Sequence, residues 1–377
     1  MNFVVFFLIL ALYIVGCIFV GAQLSKCIPN KFGRRLFRWI VGIMSSLFFI
    51  HRLVSPYIAE WINRLLYIIS TMWLVVIMYA VIVLCIFSVA RWVARLRKGS
   101  IPPIDMRTFW NTLLIVGIIL FCGVMNAYSP KLTHYTLHSD KMKATDTLRI
   151  ALVSDLHMGY AVRSGDMERL TAIVNAQDAD FCLIAGDLFD GDVRPVIEGD
   201  LGAPLKKIKT HRGTIAVLGN HEYLGQADIA AQYISSLGIT VLRDSAIAVS
   251  TTSFDMKPYI WFIGRDDLSS LRIDNGRKNK TIDELNCDTC QYKIVIDHQP
   301  ARFDDSERIG ADLHVSGHTH AGQVWPMRMF TKMIYELDYG YMRKECTDFI
   351  VTSGFGTWGP RFRTGNTPEI VVIDITK

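Results

Sequence analysis

The chain has 377 residues, of which 51% are hydrophobic, and its formal net charge is +5. This length exceeds that of one small core and favours two units. The charge is divided: residues 1–143 carry 15 Lys/Arg and three acids, a net of +12, which leaves −7 for the rest. Because the basic residues lie between apolar segments, the composition argues against a nucleic-acid-binding protein.

The N-terminal third contains three long uncharged segments and a shorter apolar run at Ile40–Ile50. A helix needs roughly 20 apolar residues to cross a bilayer. Two basic clusters flank these segments, and four spans place both clusters on one side of the membrane, whereas three spans separate them. We therefore predict a transmembrane region, 1–128, with helices near 2–22, 38–58, 65–90 and 109–128.

The predicted topology has further consequences. The first segment lacks a basic start and a small-residue cleavage site, so it is interpreted as an anchor rather than a removed signal peptide. Four spans leave both termini, and everything after Tyr128, outside the cytoplasm. The second span is long enough only if His51 and Arg52 snorkel at an interface.

Two of the eight cysteines, Cys287 and Cys290, form the sequence C-D-T-C. An extracytoplasmic location makes a local disulfide plausible. The same two cysteines could instead be ordinary surface thiols or part of a metal site. A zinc knuckle would need a second cysteine pair.

A polar connector, 129–147, is predicted to lead into a domain at 148–377. Its short apolar runs alternate with amphipathic stretches, which predicts a layered α/β core with a mixed or doubled sheet. The predicted strands are Leu148–Val153, Phe181–Ala185, Thr214–Leu218, Ile239–Leu242, Tyr259–Ile263, Lys293–Ile296, Asp312–Val315, Phe349–Thr352 and Ile370–Ile373. The predicted helices are Asp166–Ala176, Leu201–Ile208 and Ala227–Leu237.

A polar cluster follows five of these strands directly: S-D-L-H, G-D-L-F-D, G-N-H-E, D-H-Q-P and G-H-T-H. In α/β folds, sites form outside the carboxyl ends of the strands, so we expect these clusters to converge. Seven nitrogen and oxygen donors exceed the needs of one ion and suit two divalent ions that share a carboxylate. The candidate ligands are Asp155, His157, Asp187, Asn220, His298, His318 and His320.

Each motif alone also has a structural interpretation. The aspartate of D-x-H is a common helix cap, and G-N-H-E is compatible with an ordinary turn. The pair in G-H-x-H is a stronger signal, because two exposed histidines have no packing purpose. Glycines before Asp187, Asn220 and His318 would let the backbone turn sharply. His314, which alternates with the last motif inside a strand, is predicted to pack rather than to bind.

In this order, the five motifs resemble the blocks of the calcineurin-like metallophosphoesterases, over residues 148–377. The sequence G-H-T-H-A-G-Q before Trp325 and the late S-G-F-G-T-W-G-P-R-F-R are similar to a membrane-anchored bacterial branch. That branch includes proteins of the UDP-2,3-diacylglucosamine pyrophosphatase type. Glu222 and Ala321 replace the more common Asp and Gly, at positions that are not ligands in the family.

The resemblance implies two mixed β-sheets in a sandwich flanked by helices. It also implies two divalent ions (Mn, Fe, Zn or Mg) that share Asp187 as a bridging ligand. His221 is implied as a catalytic residue beside the phosphate that binds no metal. The two remaining ligand sets are Asp155, His157 and His320 for one ion, and Asn220, His298 and His318 for the other.

The expected activity is hydrolysis of a phosphodiester or pyrophosphate bond by a hydroxide held between the ions. The expected substrate is lipid-linked, such as UDP-2,3-diacylglucosamine of the lipid A pathway, or another phosphorylated molecule of the cell envelope. Arg361 and Arg363 are candidates for contact with its phosphate, although surface arginines explain them equally well. The alternatives are a phosphomonoesterase and a non-catalytic, metal-dependent docking scaffold.

The expected location is the bacterial inner membrane, with several spans and an extracytoplasmic catalytic domain. This location conflicts with one expected substrate, because UDP-linked lipid precursors are made on the cytoplasmic face. Either the substrate lies elsewhere in the envelope or the second apolar run does not span.

Overall fold

The computed structural model describes residues 3–98, 104–142, 147–250, 259–273 and 291–377. Cysteines 287 and 290, with their predicted pairing, lie outside these ranges. The chain divides into two compact units, Met1–Met125 and Asn126–Lys377, here called unit 1 and unit 2.

The described part of unit 1 is built from helices that are long and apolar enough to cross a membrane, as predicted. The second begins at Lys31, seven residues earlier than predicted, where the side chain of Asn30 caps it by accepting a hydrogen bond from the Gly33 amide. The third extends to Lys98 and so includes the second basic cluster, which consists of Arg91, Arg95, Arg97 and Lys98. The four helices are α1 (Phe3–Ser25), α2 (Lys31–Val54), α3 (Glu60–Lys98) and α4 (Met106–Ala127).

Polar side chains of α2 find partners on α3. His51 is buried, and its Nε2 lies 2.5 Å from Oδ1 of Asn63. Trp73 donates from Nε1 to the hydroxyl of Ser45 at 3.0 Å. A buried polar ring is stabilised by a partner inside the protein. That His51 and Arg52 also lie near a membrane interface stays a prediction.

Unit 2 is an α/β domain whose described residues contain twelve strands. The strands are β1 (Lys131–His138), β2 (Leu148–Val153), β3 (Phe181–Ala185), β4 (Gly213–Val217), β5 (Thr240–Leu242), β6 (Ser245–Ser250), β7 (Tyr259–Gly264), β8 (Tyr292–Ile296), β9 (Leu313–Ser316), β10 (Gly340–Lys344), β11 (Thr347–Val351) and β12 (Glu369–Thr376). The helices are α5 (Ser164–Asn175), α6 (Arg194–Glu198), α7 (Asn220–Leu224), α8 (Ala227–Ser236), α9 (Ser270–Ile273), α10 (Phe303–Arg308) and α11 (Arg328–Ile334).

These strands form two mixed sheets, in the orders β1-β12-β2-β3-β4-β5 and β10-β11-β9-β8-β7-β6. Side chains alternate across each strand. In β2, Ile150 and Leu152 face a core shared with Phe262 and Ile294 of the second sheet, whereas Ala151 and Val153 face a separate core with the helices. The predicted sandwich of two mixed sheets flanked by helices is confirmed.

The order of the strands explains why the polar clusters meet. Strands β2, β3 and β4 are parallel neighbours in the first sheet, and β8 and β9 are parallel neighbours in the second. Their carboxyl ends therefore open at common edges. Each of the five motifs begins where one of these strands ends.

Four segments differ from the sequence predictions. The predicted connector 129–147 contains β1, which pairs in parallel with β12. Exposed polar residues alternate along β1, so this edge strand has the composition of a linker. The helix predicted at Leu201–Ile208 is a short 3-10 helix at Ala203–Lys207, with proline in its first turn. Strands β6 and β10 were not predicted, because their residues are mostly polar or half-buried.

Candidate metal centre

The backbone of the strand-end loops adopts a conformation that is rare for residues with side chains. All seven predicted ligands lie in the described ranges. Five of them have a positive φ: Asp155 (53°), His157 (49°), Asp187 (51°), His318 (71°) and His320 (48°). Each such residue costs on the order of 1–3 kcal/mol, and the surrounding structure must impose it. This repeated strain marks the strand ends as a functional site.

Two glycines allow these loops to approach each other. Gly186 has φ +80°, and a Cβ there would lie 2.6 Å from Nδ1 of His298. Gly317 has an ordinary φ, but a Cβ there would overlap the side chains of Ser154 and Asp155. The glycine before His318 is therefore needed for close packing rather than for the sharp turn predicted.

The first ligand cluster joins the ends of β2 and β9. Nε2 of His157 lies 2.9 Å from Nε2 of His320, and Oδ1 of Asp155 lies 3.4 Å from the same His320 nitrogen. The amide of His318 donates to both oxygens of Asp155 at 3.1 Å. These three ligand atoms converge within the distance expected of groups that share one ion.

The second cluster joins the ends of β3, β4, β8 and β9 around Nε2 of His298. This nitrogen lies 3.1 Å from Oδ2 of Asp187, 3.1 Å from Oδ1 of Asn220 and 3.2 Å from Nδ1 of His318. On the other side of the ring, Nδ1 donates to the carbonyl of Ala185 at 2.8 Å. A carbonyl only accepts, so Nδ1 carries a proton, and Nε2 is the ring atom that would bind a metal ion.

Electrostatics of the buried groups favour bound cations. Burial and the neighbouring His298 lower the pKa of His318 to about 4. Burial, then His157 and Arg363, hold the pKa of His320 well below its ordinary value, so both rings are neutral donors. Burial opposes the charged form of His298, but the carboxylate of Asp187 outweighs it and raises the pKa of that histidine. A divalent cation would offset the same negative charge.

The two clusters meet at Asp187. Its Oδ2 lies 3.1 Å from Nε2 of His298 and 3.8 Å from Nε2 of His157, so one carboxylate oxygen faces both clusters. The donors are imidazole nitrogens, carboxylate oxygens and one amide oxygen, a set suited to first-row divalent ions. The residues present therefore fit two divalent metal ions in the arrangement that the resemblance implies.

Two further residues, His221 and Asp190, lie beside the ligand clusters, and only His221 was predicted to have a role. His221 lies at the edge of the site, with 12% of its side chain exposed and its ring centroid 4.7 Å from that of His157. Asp190, the second aspartate of G-D-x-x-D, was given no role. Its Oδ1 lies 3.4 Å from Nδ1 of His157 and 3.7 Å from Nδ1 of His221. Its place as the second aspartate of G-D-L-F-D was the sequence feature that could have identified it.

Glu222 fixes two loops of the site to each other. Its buried carboxylate accepts from the amides of Asp187 (3.1 Å), Phe189 (2.8 Å) and Gly219 (2.7 Å). Burial and the charge of Asp187 raise the pKa of Glu222 to about 8. The position is not a ligand, as the sequence analysis expected; its carboxylate instead holds the loop after β3 against the loop after β4.

The structure assigns different partners to the two arginines predicted to meet a substrate phosphate. Arg363 is fully buried and donates to the carbonyls of Ser353 (2.9 Å) and Gly354 (3.2 Å), and its Nη2 lies 3.2 Å from Nδ1 of His320. Arg361 pairs with Asp166 at 2.7 Å. Arg363 is fully enclosed by the protein, so its predicted contact with a substrate phosphate is corrected. Arg361 keeps 12% of its side chain exposed, and its contact with substrate stays a prediction.

His314 packs as predicted. It is fully buried, its Nδ1 lies 2.7 Å from the hydroxyl of Ser306, and its ring lies 5.0 Å from that of Phe303. It belongs to the outer layer of the second sheet and takes no part in the metal centre.

Comparisons with known proteins identify relatives of this chain. Residues 148–322 match the family model of the calcineurin-like phosphoesterases. A Danio rerio protein, "Transmembrane protein with metallophosphoesterase domain", is 25% identical over 364 residues, which cover 94% of this chain and 82% of that protein. An "Uncharacterized metallophosphoesterase" of Aquifex aeolicus is 26% identical over 254 residues, covering 67% of this chain and 94% of that protein.

Fold and site together define a metal-dependent phosphoester hydrolase. The match to the family model of the calcineurin-like phosphoesterases lies entirely within unit 2, at residues 148–322. The apolar helices of unit 1 and the transmembrane name of the Danio rerio relative indicate a membrane protein. Because that animal relative and the Aquifex aeolicus protein are both similar to this chain, these likenesses do not single out a bacterial branch.

Proposed function

We propose that the chain is a membrane-anchored phosphodiesterase or pyrophosphatase that uses two divalent metal ions. One observation carries this proposal: a single carboxylate oxygen of Asp187 faces both ligand clusters, 3.8 Å from His157 and 3.1 Å from His298. When bound, the two ions would supply an activated water and would neutralise charge at the phosphorus centre.

The chain's own residues prepare the site for this chemistry. Asp155, with Asp187, gives the pocket negative charge that holds cations, and the neutral rings of His318 and His320 complete the ligand sets. His221 is the partly exposed imidazole beside this centre, so it donates a proton or a hydrogen bond to the leaving oxygen. Asp190 faces Nδ1 of His221 and orients its ring.

The expected substrate is a lipid-linked or cell-envelope phosphodiester or pyrophosphate. UDP-2,3-diacylglucosamine belongs to this class, but it is made on the cytoplasmic face and would reach the site only if unit 2 were cytoplasmic. The membrane helices of unit 1 support this class, because they confine the site to the neighbourhood of a bilayer. The basic residues that flank the four helices support an extracytoplasmic unit 2 in the bacterial inner membrane. A reporter fused to Lys377 tests the side: cytoplasmic reporter activity would refute the extracytoplasmic placement.

Turnover of bis-p-nitrophenyl phosphate by the full chain in detergent, with Mn²⁺ added, tests the activity. The proposal predicts metal-dependent release of p-nitrophenol that exceeds release from p-nitrophenyl phosphate. Faster turnover of the monoester would indicate a phosphomonoesterase. No turnover by a protein that retains its metal would indicate a docking scaffold.

A further inference from the structure

Unit 2 exposes a cluster of large apolar side chains, here called the apolar rim. Helix α11 carries most of it, and none of the residues of this fully described helix is buried. Met333 is 81% exposed and Ile334 71%. The rim consists of Trp325, Met329, Phe330, Met333, Ile334 and Trp358. A clustered apolar surface on a folded domain marks an interaction site, whereas single exposed apolar residues do not.

Polar contacts hold α11 in this exposed position. Arg328 pairs with Asp338 at 3.3 Å, and the hydroxyl of Thr331 donates to the same carboxylate at 2.9 Å. Thr319, between the two histidines of G-H-T-H, donates to the carbonyl of Asp338 at 2.5 Å. The helix is thus tied to the metal loop on its polar side, while its apolar side chains remain directed at solvent.

The rim borders the metal centre. The ring of Trp358 lies 6.4 Å from that of His221, and Tyr335, directly after α11, lies 6.0 Å from the ring of His318. The backbone amide and carbonyl of Trp358 both bond to the side chain of Gln323, at 3.0 and 2.9 Å. A molecule that reaches the metal centre along this border therefore passes apolar surface.

The rim also shares a loop with the point where the chain enters unit 2. Asn126, one residue before α4 ends, donates to the carbonyls of Asn366 at 2.6 Å and Arg363 at 3.0 Å. Thr364, between them, accepts from the amide of Trp325 at 3.1 Å. The loop 363–366 therefore contacts both the rim and Asn126, the first residue of unit 2.

The charge of residues 324–335, which carry most of the apolar rim, indicates what kind of partner the rim binds. Between Val324 and Tyr335 the sequence contains Arg328 and Lys332 but no acidic residue. Because Arg328 pairs with Asp338, Lys332 is the residue of this segment whose charge that pair does not offset. Tryptophan together with exposed apolar and basic residues is typical of protein surfaces at a membrane interface. The basic residues of such a surface are attracted to anionic lipid. A partner of this chemistry is already present, because the chain carries its own membrane helices.

We propose that the apolar rim inserts into the boundary between headgroups and acyl chains of the membrane that holds unit 1. The metal centre then opens at the headgroup layer, and the phosphate group of a membrane lipid reaches it without leaving the bilayer. The substrate part of this inference rests on the proposed function; the docking of the rim does not.

Spin labelling tests the docking. The full chain is reconstituted in vesicles of phosphatidylethanolamine and phosphatidylglycerol, with a nitroxide on Met333→Cys or, as the control, on the exposed Lys206→Cys. Signal from native cysteines is subtracted with the unsubstituted protein. The inference predicts that a nitroxide at position 333 collides severalfold more often with oxygen than with a water-soluble nickel complex. At position 206, collisions with the nickel complex should be the more frequent.

Two results would overturn the docking. Nickel accessibility at 333 equal to that at 206 would place the rim in water. Low accessibility to both reagents would place it against protein, such as a second copy of the chain. Turnover of bis-p-nitrophenyl phosphate by the unsubstituted protein decides the proposed function separately, because this soluble diester does not require the bilayer.

Discussion

Oδ2 of Asp187 lies 3.1 Å from Nε2 of His298, although these residues are 111 positions apart in the chain. The proton of His298 is on the opposite side of the ring, at the carbonyl of Ala185. Asp187 also raises the pKa of His298, which favours a second proton on Nε2 that offsets the carboxylate charge. A cation bound between Nε2 and Oδ2 would take the place of that proton.

Replacement of Asp187 by alanine removes the carboxylate shared by both clusters. We expect metal content to fall from about two ions per chain to one or none, with loss of diesterase activity. Inductively coupled plasma mass spectrometry of the purified variant measures the content. Asp192→Ala, in the same loop but paired with Arg194 near the surface, is the control and should retain its metal. Full occupancy in Asp187→Ala would exclude the bridging role.

Replacement of His221 by alanine should lower kcat about 10²–10⁴-fold while metal content stays intact, because general acid catalysis contributes that range. The exposed His211, which pairs with Asp178 at 3.1 Å, provides a matched histidine-to-alanine control. Loss of metal from His221→Ala would mean that this ring is a ligand.

Asp190 is expected to position two rings without touching substrate. Asp190→Ala should lower activity or metal affinity about 10–100-fold, the usual effect of removing a partner of a ligating histidine. Asp190→Asn retains an oxygen acceptor and should recover part of the loss. Metal titration and kcat are measured for both variants, and unchanged values for Asp190→Ala would refute the assignment.

Glu222→Gln should destabilise unit 2 by about 1–3 kcal/mol, because an amide replaces one of the oxygens that accept three buried backbone N–H groups. The expected fall in Tm is several degrees, observed by thermal unfolding of the detergent-solubilised chain. Glu168→Gln, on the exposed face of α5, controls for the loss of charge. Equal Tm values for the two variants would contradict the structural role.

Arg363 and Arg361 are expected to contribute differently to the thermal stability of unit 2. Arg363→Met removes the side-chain donor of the buried carbonyls of Ser353 and Gly356. It should therefore lower Tm more than Arg361→Met, which removes one ion pair near the surface. Thermal unfolding and KM are measured on both. A raised KM with unchanged Tm for Arg363→Met would restore the earlier interpretation of substrate contact.

The sequence predicted the sheets and the convergence of ligands because apolar runs and motif positions are local patterns. Strand β1 escaped prediction because its exposed side chains are polar, and its stability comes from pairing with β12, more than 230 residues away. The surroundings of Arg363 are equally non-local. Its charge suggested a surface role, whereas tertiary packing encloses it beside His320.

Titration of the metal-free full chain with Mn²⁺, followed by electron paramagnetic resonance, tests the dinuclear centre most directly. The account predicts that about two equivalents bind and that the second converts the spectrum to that of an exchange-coupled pair, in step with activity. Saturation of activity at one equivalent, with the spectrum of an isolated ion, would contradict it.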